Sequence, residues 1–459
     1  MNDEISERRG IRIIFQTKQG GMTMNRLLIQ NGILIDPSQR IFEKKDLYIE
    51  DGIVKQVEDE ICDIPEGTRL VDASGCWVMP GFIDLHVHFR DPGLTYKETV
   101  ETGCKAAAAG GVTTVCTMPN TKPVTDCVEV VEEILEKAGK APYTHLLPIA
   151  AVTIGQQGKE IVDLAALKEV GICAISEDGR SVMDSGIMKE AMRRCAQLQI
   201  PIFDHCEDES LAGGCINEGE VSRELGLPGL SRDAENAMTA REILLAESTG
   251  AQLHICHVST KESAEIIRMA KAHGVRVTAE VGPHHFALSD EDIRREPHSK
   301  YKMNPPLRTP DDVEAMKVAL ADGTLDAIAT DHAPHSAEEK TEDLQHSLNG
   351  IIGLETSFAI SKKTLVDTGI LSPMQLVEKM STRPAQILGI PKGTLSVGSC
   401  ADICVADPNE TYVIDDQFYS KAKNSPFIGW KVQGRVKMTI LDGRIVFQDG
   451  KITEKEDLA

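Results

Sequence analysis

The sequence predicts an α/β protein, a (β/α)8 TIM barrel carrying a smaller β-sandwich module built from both chain ends. Short apolar runs recur through the middle of the chain with helical stretches between them, whereas both ends alternate short strands with Asn-Gly and Asp-Gly turns. Residues of metal-ligating type also stand at the ends of the apolar runs, where a barrel of this kind places its chemistry. At 459 residues the chain is long enough for one large domain and a smaller one.

Taken in order, residues 1–23 are polar and end in GGMT. They read either as a ragged extension, a candidate for disorder, or as an over-called translation start. Met24 opens MNRLLIQNGILIDP, a strand, turn, strand beginning, and the turns Asn31-Gly32 and Asp51-Gly52 continue the texture to about Met79. The far end, with GTLSVGSCADICVAD and MTILDGRIVFQDG, is alike. Residues 24–79 and 385–459 are therefore assigned to one composite β module, and residues 80–384 to the barrel. Its strands are read at Gly81–Leu85, Val112–Thr117, His145–Ala151, Ile172–Ser176, Pro201–Asp204, Gln252–Cys256, Val275–Glu280 and Leu325–Ala329. The helix after the sixth is signposted by Ser259 and Glu262 at capping-box spacing, with Ile266, Ile267, Met269 and Ala270 as its apolar face.

Composition narrows the function. The 49 basic against 71 acidic residues give a formal charge of -22, which argues against nucleic acid or an anionic membrane surface as partner. An anionic substrate would need local basic residues. The 12 cysteines are scattered without a Cys-x-x-Cys pair, and Cys116, Cys173 and Cys256 sit inside apolar runs, the pattern of reduced core thiols. With no apolar stretch long enough for a signal sequence or a membrane span, a cytoplasmic location is expected.

The chemistry concentrates at strand ends. In GFIDLHVHFRDPG, from Gly81 to Gly93, an apolar run stops at His86 and His88, alternate residues that share a face of the strand. The fourth strand ends at Glu177 and Asp178, the fifth at His205, the sixth at His257 and the eighth at Asp331. Imidazoles and carboxylates without thiolate suit zinc or a similar divalent ion, and more than four ligands suggest two ions bridged by a carboxylate and a hydroxide. The implied reaction class is hydrolysis of an amide-like bond. Other histidines read as structural. His254 lies on the face of its strand opposite His257, His284 and His285 form a pair without an evident role, and His145, His273, His298 and His346 have no obvious partner.

Further segments are TMPNTKP (Thr117–Pro123), DHCED (Asp204–Asp208), HVSTKES (His257–Ser263), YKMNPPLR (Tyr301–Arg308) and ATDHAPH (Ala329–His335). With the first-strand segment, they make the chain from Met24 onward resemble the amidohydrolase superfamily, and within it the bacterial type I dihydroorotases of pyrimidine biosynthesis. The resemblance implies two zinc ions. His86 and His88 would hold one and His205 and His257 the other, with Asp178 bridging and Asp331 both ligand and catalytic acid/base. It further implies that His88, Phe89, Arg90, Asn120, Asn304, His335, Asn349 and Gly350 contact the substrate, Arg90 offering a bidentate fork to a carboxylate. The implied reaction is reversible cyclisation of N-carbamoyl-L-aspartate to (S)-dihydroorotate and water.

Two departures stand out. Where the type I enzymes have Asp-Asp-Gly this chain has Glu177-Asp178-Gly179, and where they often have Phe-Gly it has Asn349-Gly350. Dihydropyrimidinases use a carboxylated lysine as bridge; no lysine occupies that strand end here, which disfavours the alternative of an allantoinase or dihydropyrimidinase-like enzyme. A third reading is a non-catalytic subunit of aspartate transcarbamoylase, although such chains generally lose metal ligands. A homodimer and assembly with a transcarbamoylase are left open. The polar segment from Ser336 to Asn349 is read as a lid.

Overall fold

The barrel strands are β1 (Phe82–Val87), β2 (Val112–Thr117), β3 (His145–Ala151), β4 (Ala174–Ser176), β5 (Ile202–Asp204), β6 (Leu253–Ile255), β7 (Val277–Val281) and β8 (Ala327–Ile328). They are neighbours in chain order in one eight-stranded parallel sheet. A bridge from Val87 to His332 and the bond from His88 N–H to His332 O (2.8 Å) draw β1 to the segment after β8. This computed structural model describes residues 25–458, so the expected extension at residues 1–23 lies outside the described residues. Helices α1 (Val100–Ala109), α2 (Val128–Gly139), α3 (Leu164–Val170), α4 (Ser185–Leu198), α5 (Asp233–Thr249), α6 (Lys261–Ala272) and α7 (Pro310–Ala321) lie between successive strands, the crossover connections that parallel strands require.

All eight expected strands form, several shorter than their apolar runs. Parallel strands covered by helices are buried on both faces, so their apolar runs extend past the paired residues, and apolarity alone overestimates strand length. Ile83, Leu85, Cys116, Leu147, Ile149, Phe203 and Cys256 fill the barrel interior, and the helix Arg383–Leu388 closes that cluster with Ile387 and Leu388. The cysteines are free thiols, most of them buried, as expected for core residues.

The signposted helix needs a correction. Its cap is Thr260, whose side chain accepts from Ser263 N–H, not Ser259. The Ser259 hydroxyl is bound to the buried Glu235 carboxylate and accepts from Arg308 Nε (3.0 Å), so tertiary partners took the residue that local spacing had nominated. Ile267 and Ala270 are buried, but Met269 is 54% exposed and does not belong to the apolar face.

Strands from the two chain ends form two further sheets. Arg26–Gln30, Asp46–Glu50, Ile53–Glu58 and Arg69–Asp72 make a four-stranded one. In the seven-stranded one, Ile403–Val413 pairs antiparallel with Trp77–Pro80, setting Cys404 opposite Met79. Leu27, Ile29, Leu47 and Ile49 from the first sheet meet Ile403, Val405 and Ile440 from the second in a common core. The anticipated turns are present, with Asn31 and Asp51 in the left-handed region at φ 66° and 51°.

Candidate active site

Strand β1 delivers the first two imidazoles by a change of phase. Ile83 and Leu85 point into the barrel interior, yet His86 and His88 also reach the site; a register irregularity between Asp84 and Val87 accommodates both. Asp84 anchors the shift by accepting from the N–H groups of His86 (3.1 Å) and Thr330 (3.1 Å). His257 and Asp331 follow β6 and β8 at φ 32° and 47°, sparsely populated conformations that non-glycine residues keep only where the surroundings enforce them.

The six expected ligands converge. His86 Nε2 lies 3.3 Å from Asp178 Oδ1 and 3.5 Å from Asp331 Oδ1. His88 Nε2 is 2.9 Å from Asp331 Oδ1 and 3.5 Å from Asp178 Oδ2. His205 Nδ1 and His257 Nε2 are 2.9 Å apart, each 3.7 Å from Asp178 Oδ1. Asp178 thus touches all four imidazoles, the place a bridging carboxylate occupies. Within the cluster, His86, His88 and Asp331 form one close set of donors and His86, Asp178 and His257 another. His86 Nε2 and His257 Nδ1 are buried without a hydrogen-bond partner. An orphaned imidazole nitrogen beside carboxylates in a dry site is what a cation would satisfy, so these residues fit a divalent metal.

Charge explains how the cluster holds together. Burial pushes the Asp178 and Asp331 carboxyls up, but the imidazoles, His86 foremost, outweigh it and hold both well below the usual carboxylate range. Burial lowers His86, yet Asp178 outweighs it and raises the imidazole well above its usual value. Behind His86 stands Glu280, which sequence reasoning missed: its Oε1 is 2.9 Å from His86 Nδ1 and its Oε2 is 3.1 Å from His254 Nε2. Burial raises the Glu280 carboxyl, but the bonds to His254 and His86 bring it down to about 2. His254, read as an unrelated structural histidine, is therefore linked to the site through Glu280. The signal was available, since a glutamate inside VTAEV is out of place in a strand buried on both faces.

The Glu177 departure has a plain resolution. Its carboxylate turns back to β3, accepting from the N–H groups of Val152 (3.0 Å) and Thr153 (3.1 Å) and from the Thr153 hydroxyl, so Asp178 alone faces the cluster. The structure brings most of the expected substrate contacts to the same mouth. Asn120 bonds both His88 Nδ1 (2.8 Å) and Asp178 Oδ2 (3.3 Å). Asn304 donates to Glu207 (2.8 Å) and leaves its own carbonyl oxygen buried without a partner. Arg90 spends its Nε on Pro334 O (3.3 Å), while its neighbour Asp91 pairs with Lys137 (2.5 Å) rather than with Arg90. His335 Nε2 lies 2.6 Å from Asn349 O. Gly350, at φ 131°, could not carry a Cβ without meeting Ala333 at 2.7 Å. Phe89 is the exception: its ring packs into the core against Gly103 and edge-on to His332, leaving only its main chain for a ligand.

A family described as Dihydro-orotase-like matches residues 75–263. A dihydroorotase of Geobacter metallireducens is 50% identical over 92% of this chain and 99% of its own length, and one of Syntrophus aciditrophicus is 47% identical over 92% and 100%. The chain belongs to the dihydroorotase family. Members of this family are cyclic amide hydrolases of the amidohydrolase superfamily. Among solved structures, the L-hydantoinase (dihydropyrimidinase) of Arthrobacter aurescens is similar with a TM-score of 0.84 at 28% identity, covering 93% of this chain and 97% of that one. A D-hydantoinase of Thermus sp. gives 0.81 at 29%, covering 94% and 97%. Among the described residues, no helix is long and apolar enough to cross a membrane.

Proposed function

We propose that this dihydroorotase-family chain interconverts N-carbamoyl-L-aspartate and (S)-dihydroorotate with a pair of zinc ions held by His86, His88, His205, His257, Asp178 and Asp331. The observation that carries the choice of substrate is Arg90 at the mouth of the ligand cluster, its side chain's one hydrogen bond among the described residues running from Nε to Pro334 O (3.3 Å) and leaving both terminal nitrogens of the fork for a ligand. Dihydroorotate brings a carboxylate to that fork; a dihydropyrimidine or hydantoin ring without one would leave a half-buried cation unpaired.

Zinc at this site supplies an acidified water and a polarised amide carbonyl. The chain's own residues do the rest. Asp331 takes the proton of the attacking water and delivers it to the ring nitrogen that leaves; in cyclisation it works in reverse. Arg90, Asn120 and His335 orient the carboxylate, and the free carbonyl of Asn304 accepts from a ring N–H. The segment from Ser336 to Asn349 closes the mouth, tethered by Lys340 Nζ to the carbonyls of Lys302 (2.7 Å) and Leu348 (2.9 Å).

Zinc-supplied protein should open the ring of L-dihydroorotate, read as loss of its ultraviolet absorbance. Asp331→Ala should slow this by about 100- to 10,000-fold. Turnover of dihydrouracil or allantoin in preference to dihydroorotate would overturn the substrate assignment.

A further inference from the structure

Lys97, in the loop between β1 and α1, is 7% exposed. Its ammonium lies 3.3 Å from His335 Nδ1 and 3.0 Å from Glu339 Oε1. An ammonium only donates, so Nδ1 must accept and the single proton of a neutral imidazole is placed on Nε2. The other side of the ring demands the same tautomer, because Nε2 faces the carbonyl oxygen of Asn349 at 2.6 Å.

The charged groups facing His335 are Arg90, Lys97 and Lys340, with Glu339 as counter-charge, its Oε2 3.5 Å from Nδ1. Glu339 is itself divided between Lys97, the Tyr96 hydroxyl (2.7 Å) and Ser336 N–H (3.3 Å). The balance around the ring is therefore positive. Burial first, then Arg90 and Lys97, push the His335 imidazole down to about 3.

We propose that Lys97 is a positioning residue for the substrate's carboxylate, fixing His335 as a neutral Nε2–H donor and adding a second positive charge beside Arg90. The inference rests on the substrate reading above, in which Arg90 and His335 meet that carboxylate. It carries a signature that a merely structural lysine would not have. When Lys97 is made neutral, one of the cations that keep His335 unprotonated is gone while Glu339 stays beside it. The ring then titrates higher than in wild type, with burial and Arg90 still opposing protonation. As pH falls, protonated His335 restores the lost charge sooner than in wild type.

The test has two arms on the full chain. In histidine-labelled protein, imidazole nitrogen resonances are followed from about pH 8 to about pH 5.5, across the ordinary histidine range, with His335→Asn identifying the signal. Wild type should keep His335 neutral and protonated at Nε2 throughout, whereas in Lys97→Met and Lys97→Gln the onset of protonation should move to higher pH than in wild type. In the kinetic arm both variants should raise KM for dihydroorotate by about 10- to 100-fold at pH 8, with a smaller effect on kcat, and the ratio to wild-type KM should shrink as pH falls. Lys97→Arg, which keeps the charge, should restore most of the loss. Identical His335 titration in wild type and both neutral variants overturns the proposal, as does a KM ratio that does not change with pH. Wild type that leaves dihydroorotate unturned sinks the substrate reading alone, and the resonance arm then decides whether Lys97 governs His335. Two neutral side chains of different polarity guard against a variant that fails to fold.

Discussion

Four imidazoles and two carboxylates meet in a dry space at this site, and each group's protonation depends on the others. Glu280 deserves as much weight as any ligand. By bonding His86 Nδ1 it holds that nitrogen's proton away from the cluster and turns Nε2 inward, ready to give up its own proton when a cation binds. Glu280→Gln keeps the shape but removes the charge that raises the basicity of the ring. It should weaken divalent-metal binding by about 10- to 100-fold, measured by equilibrium dialysis with zinc as the probe ion, with the far-ultraviolet circular dichroism unchanged. Wild-type affinity in that variant would show that His86 is oriented without Glu280. The six residues of the cluster were legible in the sequence because each is a polar residue stranded at the end of an apolar run. Glu280 and Lys97 were not singled out, because their partners His86 and His335 lie far away in the chain and only the closed barrel brings them near. The same distance hid the partners of His145, which sits between Asp402 and Asp442, whereas His298, capping a short turn at Lys300 N–H (3.0 Å), and His346, paired with Asp343 (2.6 Å), make local contacts that no periodic pattern signals.

At the scale of elements, periodicity located every barrel strand, whereas the ends of the elements depended on which side chain won each backbone donor. The start of α6 shows the competition. Ser259 and Thr260 both have a hydroxyl at the right place, but Ser259 faces Glu235 and Arg308 in the interior, so Thr260 serves the helix. Its Oγ1 accepts from Ser263 N–H (3.1 Å) and also bonds Asn236 Oδ1 (2.6 Å) on α5, so the cap ties two neighbouring helices. Thr260→Ala should lower stability by about 1–2 kcal/mol in urea unfolding. A change below about 0.3 kcal/mol, less than the low end of measured caps, would mean that neither bond is worth more than its hydration. This matters for the site because α6 begins just after His257, and a frayed first turn would loosen the segment that holds that imidazole at its positive φ.

At the scale of the whole molecule, the module meets the barrel beside the mouth, where Asn424 donates to Ala333 O (3.1 Å) and Gly350 O (3.0 Å), and also at the end opposite the ligand cluster. At that opposite end Thr439 Oγ1 donates to Ala108 O (2.6 Å) and Gly81 N–H to Asp402 O (2.8 Å), polar contacts that cross between segments hundreds of residues apart. His145, at the start of β3, reaches Asp442 Oδ1 (3.3 Å) and Asp402 Oδ2 (3.6 Å), two carboxylates of the module's sheet region, while Lys392 and Cys400 face the same pair. Burial lowers this imidazole, but Asp402, and then the bonds to Asp402 and Asp442, raise it to about 9. A folded-state value above the unfolded one of about 6.5 means that the protonated ring stabilises the fold fully below that pH, and that the contribution is lost as pH rises through about 9. His145→Gln should therefore cost on the order of 1–3 kcal/mol at pH 6 and close to nothing at pH 10, compared with wild type by denaturant unfolding at each pH. A difference that stays constant over that range would assign the loss to packing at the start of β3 instead of to charge. The prediction separates the two ends of the barrel. The ion pairs at the His145 end set how firmly module and barrel stay joined as pH changes, and they do so without touching the residues at the mouth.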